Sequence, residues 1–472
     1  MSRDELLDQL RQILPEDRIV TDPAELFVYE SDGLTIAKAR PAAVVFPLTT
    51  AEVQQVVQVL GRHGVPIVPR GSGTGLAGAS VAWGEGVIVS TARMEQILKI
   101  DVENRVAHVQ AGVRNTALSD AVARMPGGAD LQFAPDPSSQ RASTIGGNAS
   151  TNAGGVHTLK DFTTSTHLLG LEMVLADGSI LRVGAEAGSC ESGPFDLPGL
   201  ICGHEGTLGI ITSLWVRLAR KPSNFRTMVA TYRTVADACN AVSDIIGEGY
   251  LPAAMEMLDG PMIRAIEDAF HVGFPAEAEA LLLVELDGIE SLLDGQLEEI
   301  KAICQRRPTI SLEATADPDR RAAIWKARKS AFGATGRISH SYCCHDACVP
   351  RSRLADVLAE TANVAHDVGI PIANVFHAGD GNIHPIFLFD DRDEKQVRNA
   401  LAAADKLLKF CVEIGGTVTG EHGIGVEKIH LMPALFDEPT MAQFQAVKHA
   451  FDPQERMNAG KLMPSEKVKV SL

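Results

Sequence analysis

Two histidines, His377 and His384, bracket the run Gly379-Asp380-Gly381-Asn382 in the segment HAGDGNIH. Glycine tolerates left-handed backbone, and Asp and Asn side chains bond back to their own main chain, so this run predicts a tight turn. The flanking PIANVF and PIFLF read as strands. A hairpin closed by that turn would set the two imidazoles face to face across paired strands, at a separation one metal ion can bridge. Either histidine alone reads more economically as a hydrogen-bonded residue beside a turn. A second unit changes that balance: GEHGIG, residues 420–425, frames Glu421 and His422 with glycines that permit close backbone approach. With Glu421 as third ligand, two imidazoles and one carboxylate leave a coordination position open. That is the pattern of a catalytic metal, whereas a structural one is closed by four protein ligands. Zinc, manganese and iron(II) all accept these donors. His422 is the expected general base, because a neighbouring cation disfavours the imidazolium and keeps the ring neutral.

Three glycine-rich loops lie upstream. The first, PRGSGTGLAG at residues 69–78, follows the strand-like VPIVP. Its glycines let the backbone approach a ligand with N–H groups exposed. No Lys-Ser/Thr ends it, so it is not a P-loop, and it does not open a helix with an acid downstream as a dinucleotide fingerprint would. PDPSSQRASTIGGNASTNAGG at residues 135–155 repeats the composition, and GHEGTLGI at 203–210 adds a third loop. One such loop is an ordinary turn; three in one domain suit a long ligand with a pyrophosphate and a ring system.

At these residues the chain resembles the FAD-binding domain of the vanillyl-alcohol-oxidase and p-cresol-methylhydroxylase superfamily. The resemblance implies that Arg70, Gly71, Ser72, Gly73, Thr74 and Gly75 hold the pyrophosphate and flavin together with Pro137, Ser138, Gly146, Gly147 and Asn152, and that Gly206 and Ile210 lie nearby. Some members attach FAD through a histidine in the first loop; this loop has none, so noncovalent FAD is expected. HAGDGNIH and GEHGIG further resemble the D-2-hydroxyacid dehydrogenase branch, whose members oxidise D-lactate, glycolate or D-2-hydroxyglutarate. The likeness runs to FDPQERMNAGK near the C-terminus, where Asn458 stands in the branch's Asn-Pro-Gly-Lys motif with Ala459 in place of proline. It agrees with the ligand set above and implies that Arg328, in IWKARKSAFG, anchors the substrate carboxylate, a task that suits a planar guanidinium fork. It also implies a complex with a related flavin subunit and an iron–sulfur subunit that passes electrons towards quinone. The chain itself offers no second redox centre, since Cys343, Cys344 and Cys348 lack iron–sulfur spacing.

These residues need a scaffold. The 472 residues exceed what one hydrophobic core usually serves. The fold class expected is α+β: a two-part FAD-binding domain of the p-cresol-methylhydroxylase type over residues 1–221, an α+β substrate and metal domain over 222–430, and a C-terminal segment, 431–472, returning to the flavin domain. Thr49 and Glu52 form a capping box before the apolar stripe of Val53, Val56, Val57 and Leu60. Short strands follow at VPIVP, GVIVS, VAHVQAG, LEMVL with ILRV joined through Asp177-Gly178, and GIITSLWVRL. After Pro222 the texture changes to alternating strands and longer helices. A net charge of −17 disfavours nucleic acid and anionic lipid. The N-terminus lacks a signal-peptide pattern and no segment is long enough for a membrane span, so a cytoplasmic location, with membrane association only through partners, is expected.

Two other classes fit parts of the pattern, a metal-dependent hydrolase and a catalytically silent flavin module. Within the dehydrogenase branch, hydroxyglutarate-oxidising members hold the distal carboxylate with a cation in the strand after the arginine. Here SHSYCCHDACV, residues 339–349, has neither Lys nor Arg, and Phe332 lies one helical turn beyond Arg328. Glycolate and D-lactate are therefore the expected substrates, with His340 and His345 the residues that could alter this by carrying charge.

Overall fold

The computed structural model describes residues 3–184 and 194–465. The chain forms two compact units: residues 1–154, 163–221 and 421–472 make the first, and residues 155–162 and 222–420 the second. Two stretches thus fall on the other side of the division expected from sequence. Residues 155–162 join the second unit because their short helix, Thr158–Asp161, carries Lys160 onto the Asp287 carboxylate. Residues 421–430 join the first because Val426 N–H donates to Ala77 O at 2.9 Å.

In the first unit the strands Ala43–Val45, Val87–Ser90 and Ile67–Arg70 run parallel, with Ile19–Val20 antiparallel at the edge. A second sheet is antiparallel throughout, in the order Ile97–Asp101, Val106–Gln110, Ile210–Arg217, Leu168–Val174, Ile180–Gly184. The helix Thr50–His63 buries Val53, Val56, Val57, Val59 and Leu60 and stops at Gly64, whose φ of 66° a glycine adopts without penalty. Thr49 caps it by accepting the Glu52 N–H at 3.2 Å. The Glu52 carboxylate accepts from Leu48 N–H at 2.7 Å and pairs with Arg18. The same carboxylate also bonds the Thr49 backbone, so the expected capping box forms and Arg18 adds a charged partner to it.

The second unit is built on one large sheet, in the order Thr309–Thr315, Phe225–Tyr232, Ala280–Asp287, Ala254–Asp259, Ile372–His377, Asn382–Ile383, Ala347–Cys348. Pro385–Phe389 continues beside Ile372–His377 and pairs in turn with Ser341–Cys344. Helices Val235–Gly247, Gly260–Phe270, Glu290–Cys304, Leu354–Val368 and Glu394–Glu413 connect these strands. Two acids sit fully buried in otherwise apolar strands, Glu256 in AMEMLD and Glu285 in ALLLVELD. Such charges persist only when met by partners. Glu285 accepts a bidentate pair of bonds from Arg321, at 2.7 and 2.8 Å, and further bonds from Trp325 Nε1 and Thr227 Oγ1.

Burial opposes ionisation of Glu285, but its bonds from His157, Arg321 and Trp325 prevail and bring its pKa down to about 2. A carboxyl with a depressed folded-state pKa contributes stability above its unfolded value and loses it as pH falls towards the folded one. Glu285→Gln should therefore cost about 3 kcal/mol at neutral pH. The gap in denaturant midpoint between variant and wild type should narrow on acidification from about pH 5 downwards. A gap independent of pH would contradict this account of Glu285.

Candidate active site

His377 ends the strand Ile372–His377, and His384 precedes Pro385–Phe389. The turn between them needs Gly381, which has φ 73° and whose added Cβ would lie 2.1 Å from Val349 O. The register pairs His377 with Asn382 and Asn374 with Pro385. His384 therefore stands opposite Val375, two residues from His377 on the same face, so the imidazoles are diagonal neighbours. Their rings meet edge to face with centroids 5.1 Å apart, where a face-to-face pair was expected. Both residues are 3% exposed. The ring of Phe332 lies 6.5 Å from that of His384.

Beside this pair Gly420 packs so closely on Asn382 that an added Cβ would lie 2.5 Å from its Oδ1. Gly420 N–H donates to Asp346 at 2.6 Å, and Thr419 Oγ1 donates to the same fully buried carboxylate. Glu421 and His422 follow directly in the chain. The donor chemistry of the buried His377–His384 pair fits a divalent cation.

His377 Nδ1 lies 2.7 Å from the Glu256 carboxylate, and the guanidinium of Arg328 pairs with the same group. Arg328 is 4% exposed, on the helix Pro318–Lys329, and its Nε–H finds no acceptor among the described residues. Burial works against the Glu256 charge, but Arg328 and His377 hold its carboxyl below the usual range. Sequence reasoning passed over Glu256, Asp346 and Glu205. For Glu256 the signal was an acid between two methionines inside an apolar strand, in AMEMLD. His345 is buried with its Nε2 3.4 Å from Cys343 Sγ, while His340 is exposed.

In the first unit Glu205 is the anchor of the GEHGIG loop. Its carboxylate accepts the N–H groups of Ile424 and Gly425 at 2.8 and 2.7 Å. Burial raises Glu205 to about 7, against the pull of these two N–H groups. An added Cβ at Gly425 would lie 1.8 Å from Ala77 O, so this loop is packed against the end of the first glycine loop. Asn458 joins the same junction, with Nδ2 donating to Ala79 O and Glu205 O at 2.9 and 2.6 Å. Gly206 faces it at 3.0 Å from a built Cβ.

Several residues expected to touch the cofactor also bond the loops themselves. Arg70 donates to Ser31 O at 2.9 Å and to Ser80 O at 3.4 Å, and it crowds the Cβ position of Gly73. Ser72 Oγ donates to Ala142 O, drawing the first and second loops together. Asn152 ends the helix Ile145–Thr151 in left-handed conformation, its Oδ1 accepting Ser165 N–H at 2.9 Å. Ile210 is buried in the core at the start of a strand, Pro137 is buried and Ser138 is exposed. Gly146 and Gly147 lie in the first turn of Ile145–Thr151, where Thr144 Oγ1 accepts Gly147 N–H at 3.1 Å. Two observations fit a bound ligand along Gly71, Gly73, Thr74 and Gly75. A Cβ built at Gly75 meets nothing within 4 Å, and the buried Ser143 Oγ and Asn148 Nδ2 have no partner among the described residues.

Comparison with known families identifies the cofactor as FAD. Residues 41–184 match an FAD binding domain, and residues 221–462 match the C-terminal domain of FAD linked oxidases. The chain belongs to the FAD-linked oxidase family. It is 43% identical to glycolate oxidase subunit GlcD of Escherichia coli over 98% of this chain and 92% of that protein. It is 32% identical to a D-lactate dehydrogenase of Archaeoglobus fulgidus, over 97% of this chain and 99% of the relative. The crystal structure of p-cresol methylhydroxylase superposes with a TM-score of 0.80, at 17% identity, over 99% of this chain and 98% of that one, which fixes the fold.

For this FAD-linked oxidase, Gly75→Ala should leave the protein folded, because the added Cβ meets nothing within 4 Å, while lowering the flavin-to-protein absorbance ratio of the purified protein. Unchanged flavin content would exclude the Gly75 backbone from the cofactor cradle.

Proposed function

We propose that the chain oxidises a small 2-hydroxy acid, glycolate or D-lactate, to the 2-oxo acid, with metal assistance and with His422 as base. That it is an FAD-dependent 2-hydroxyacid dehydrogenase follows from its family and relatives. The finer reading is carried by the buried His377–His384 pair on adjoining strands, two imidazoles with no apolar reason to be there. Bound FAD supplies the acceptor for the hydride that leaves substrate C2. A divalent ion held by His377, His384 and Glu421 supplies positive charge that acidifies the substrate hydroxyl; zinc, manganese and iron(II) suit this donor set equally.

The chain's own residues do the rest. Arg328 orients the substrate carboxylate through donors not taken by Glu256, its Nε–H among them. His422 removes the hydroxyl proton. Phe332, beside His384, is the apolar wall that favours a short substrate. A second carboxylate against that ring would be desolvated without a cation, costing at least ~1–3 kcal/mol. Electrons then pass to a partner, as the word "subunit" in the names of the glycolate oxidase relatives supports, and an iron–sulfur subunit beside a related flavin subunit is the partner proposed. Among the described residues no helix is long and apolar enough to cross a membrane.

His422→Ala should keep its flavin and lose turnover by a factor of ~10²–10⁴, the range for loss of a general base. Chelation should likewise abolish turnover with the flavin retained, and one of the three divalent ions should restore it. Full activity in either the variant or the metal-free protein would remove His422 or the metal from the reaction.

A further inference from the structure

Glu256 does more than neutralise a buried arginine. It sits directly opposite His377 across two antiparallel strands, a register that aims its carboxylate at the imidazole edge. One oxygen lies 2.7 Å from Nδ1, and the group also pairs with Arg328, which arrives from a different element, the helix Pro318–Lys329. The carboxylate is thus held from two sides in a fully buried setting, where neither it nor the ring can turn to solvent. An imidazole that donates from Nδ1 carries its lone pair on Nε2, so the bond selects both the tautomer and the ring orientation.

We infer that Glu256 is a positioning residue that presents His377 Nε2 as a metal donor, with Arg328 serving as the clamp that fixes the carboxylate. The inference rests on the metal reading above and deepens it. Partners of this kind raise the basicity of a ligating histidine and fix its direction, and their loss typically weakens metal binding by 10–100-fold. The arrangement also ties the arginine proposed to orient the substrate and a proposed metal ligand to one group, so the two are held in a set relation.

The test is zinc affinity, measured by competition with a chromophoric chelator on flavin-loaded protein stripped of divalent ions. Glu256→Gln keeps the shape but not the charge, and Glu256→Asp keeps the charge but not the reach. Both should weaken zinc binding by about 10–100-fold while retaining flavin. Glu285→Gln removes an equally buried carboxylate on the neighbouring strand, whose partners are Arg321, Trp325 and Thr227. It should lower stability and leave zinc affinity unchanged. Wild-type zinc affinity in a folded Glu256→Gln or Glu256→Asp protein overturns the inference, as does an equal loss in Glu285→Gln, which would mark the effect as general loosening. Failure of the wild type to bind zinc, or binding unaffected by His377→Ala, would instead overturn the metal reading, and this inference with it.

Discussion

An ionised carboxylate inside an apolar sheet is tolerated only when its charge is met, and the second unit is organised around two of them. Glu256 and Glu285 lie on adjacent strands, Ala254–Asp259 and Ala280–Asp287. Either one stripped of its partners would cost several kcal/mol. One helix answers both: Arg321, Trp325 and Arg328 recur at helical spacing on Pro318–Lys329, the first two bonding Glu285 and the third Glu256. The helix is docked by charge as much as by its apolar residues Ile324 and Ala327. Its position then fixes where Arg328 can present a donor.

The same constraint shapes the glycine loops in a different currency. Backbone N–H groups without a helix or strand to accept them need acceptors, and Glu205 provides one for Ile424 and Gly425 while Asp346 provides one for Gly420. Those bonds lie on either side of Glu421, His422 and Gly423. The positive φ of Gly423, 89°, and the close approach of its Cβ position to the Glu205 carboxylate, 2.4 Å, leave no room for another residue. Glu421 and His422 are therefore carried on irregular backbone whose following residues are bonded to Glu205.

Much of this was legible in the sequence because it is local. The turn through Gly381 and the strands around it were readable from HAGDGNIH, and the hairpin through Asp177-Gly178 from its own dipeptide. The three glycine loops pointed to a long ligand by composition alone. What stayed hidden depends on partners distant in the chain. No spacing rule brings Glu256 to His377, 121 residues on, or Asn458 to Glu205, 253 residues back. The diagonal offset of His377 and His384 was missed because a register cannot be assigned from the turn residues without knowing where pairing resumes. Arg70 and Asn152, read as ligand contacts, are also bonded to backbone from other segments, a second role that a polar residue in a glycine loop can take and that composition does not reveal.

The most direct measurement of the central claim is the flavin absorbance of the purified protein mixed anaerobically with glycolate, D-lactate or D-2-hydroxyglutarate. This account predicts that the visible flavin band bleaches with glycolate and D-lactate much faster than with D-2-hydroxyglutarate, and that chelation abolishes the bleaching. A band untouched by all three acids would contradict the assignment as a 2-hydroxyacid dehydrogenase, and fastest bleaching by D-2-hydroxyglutarate would contradict the role given to Phe332.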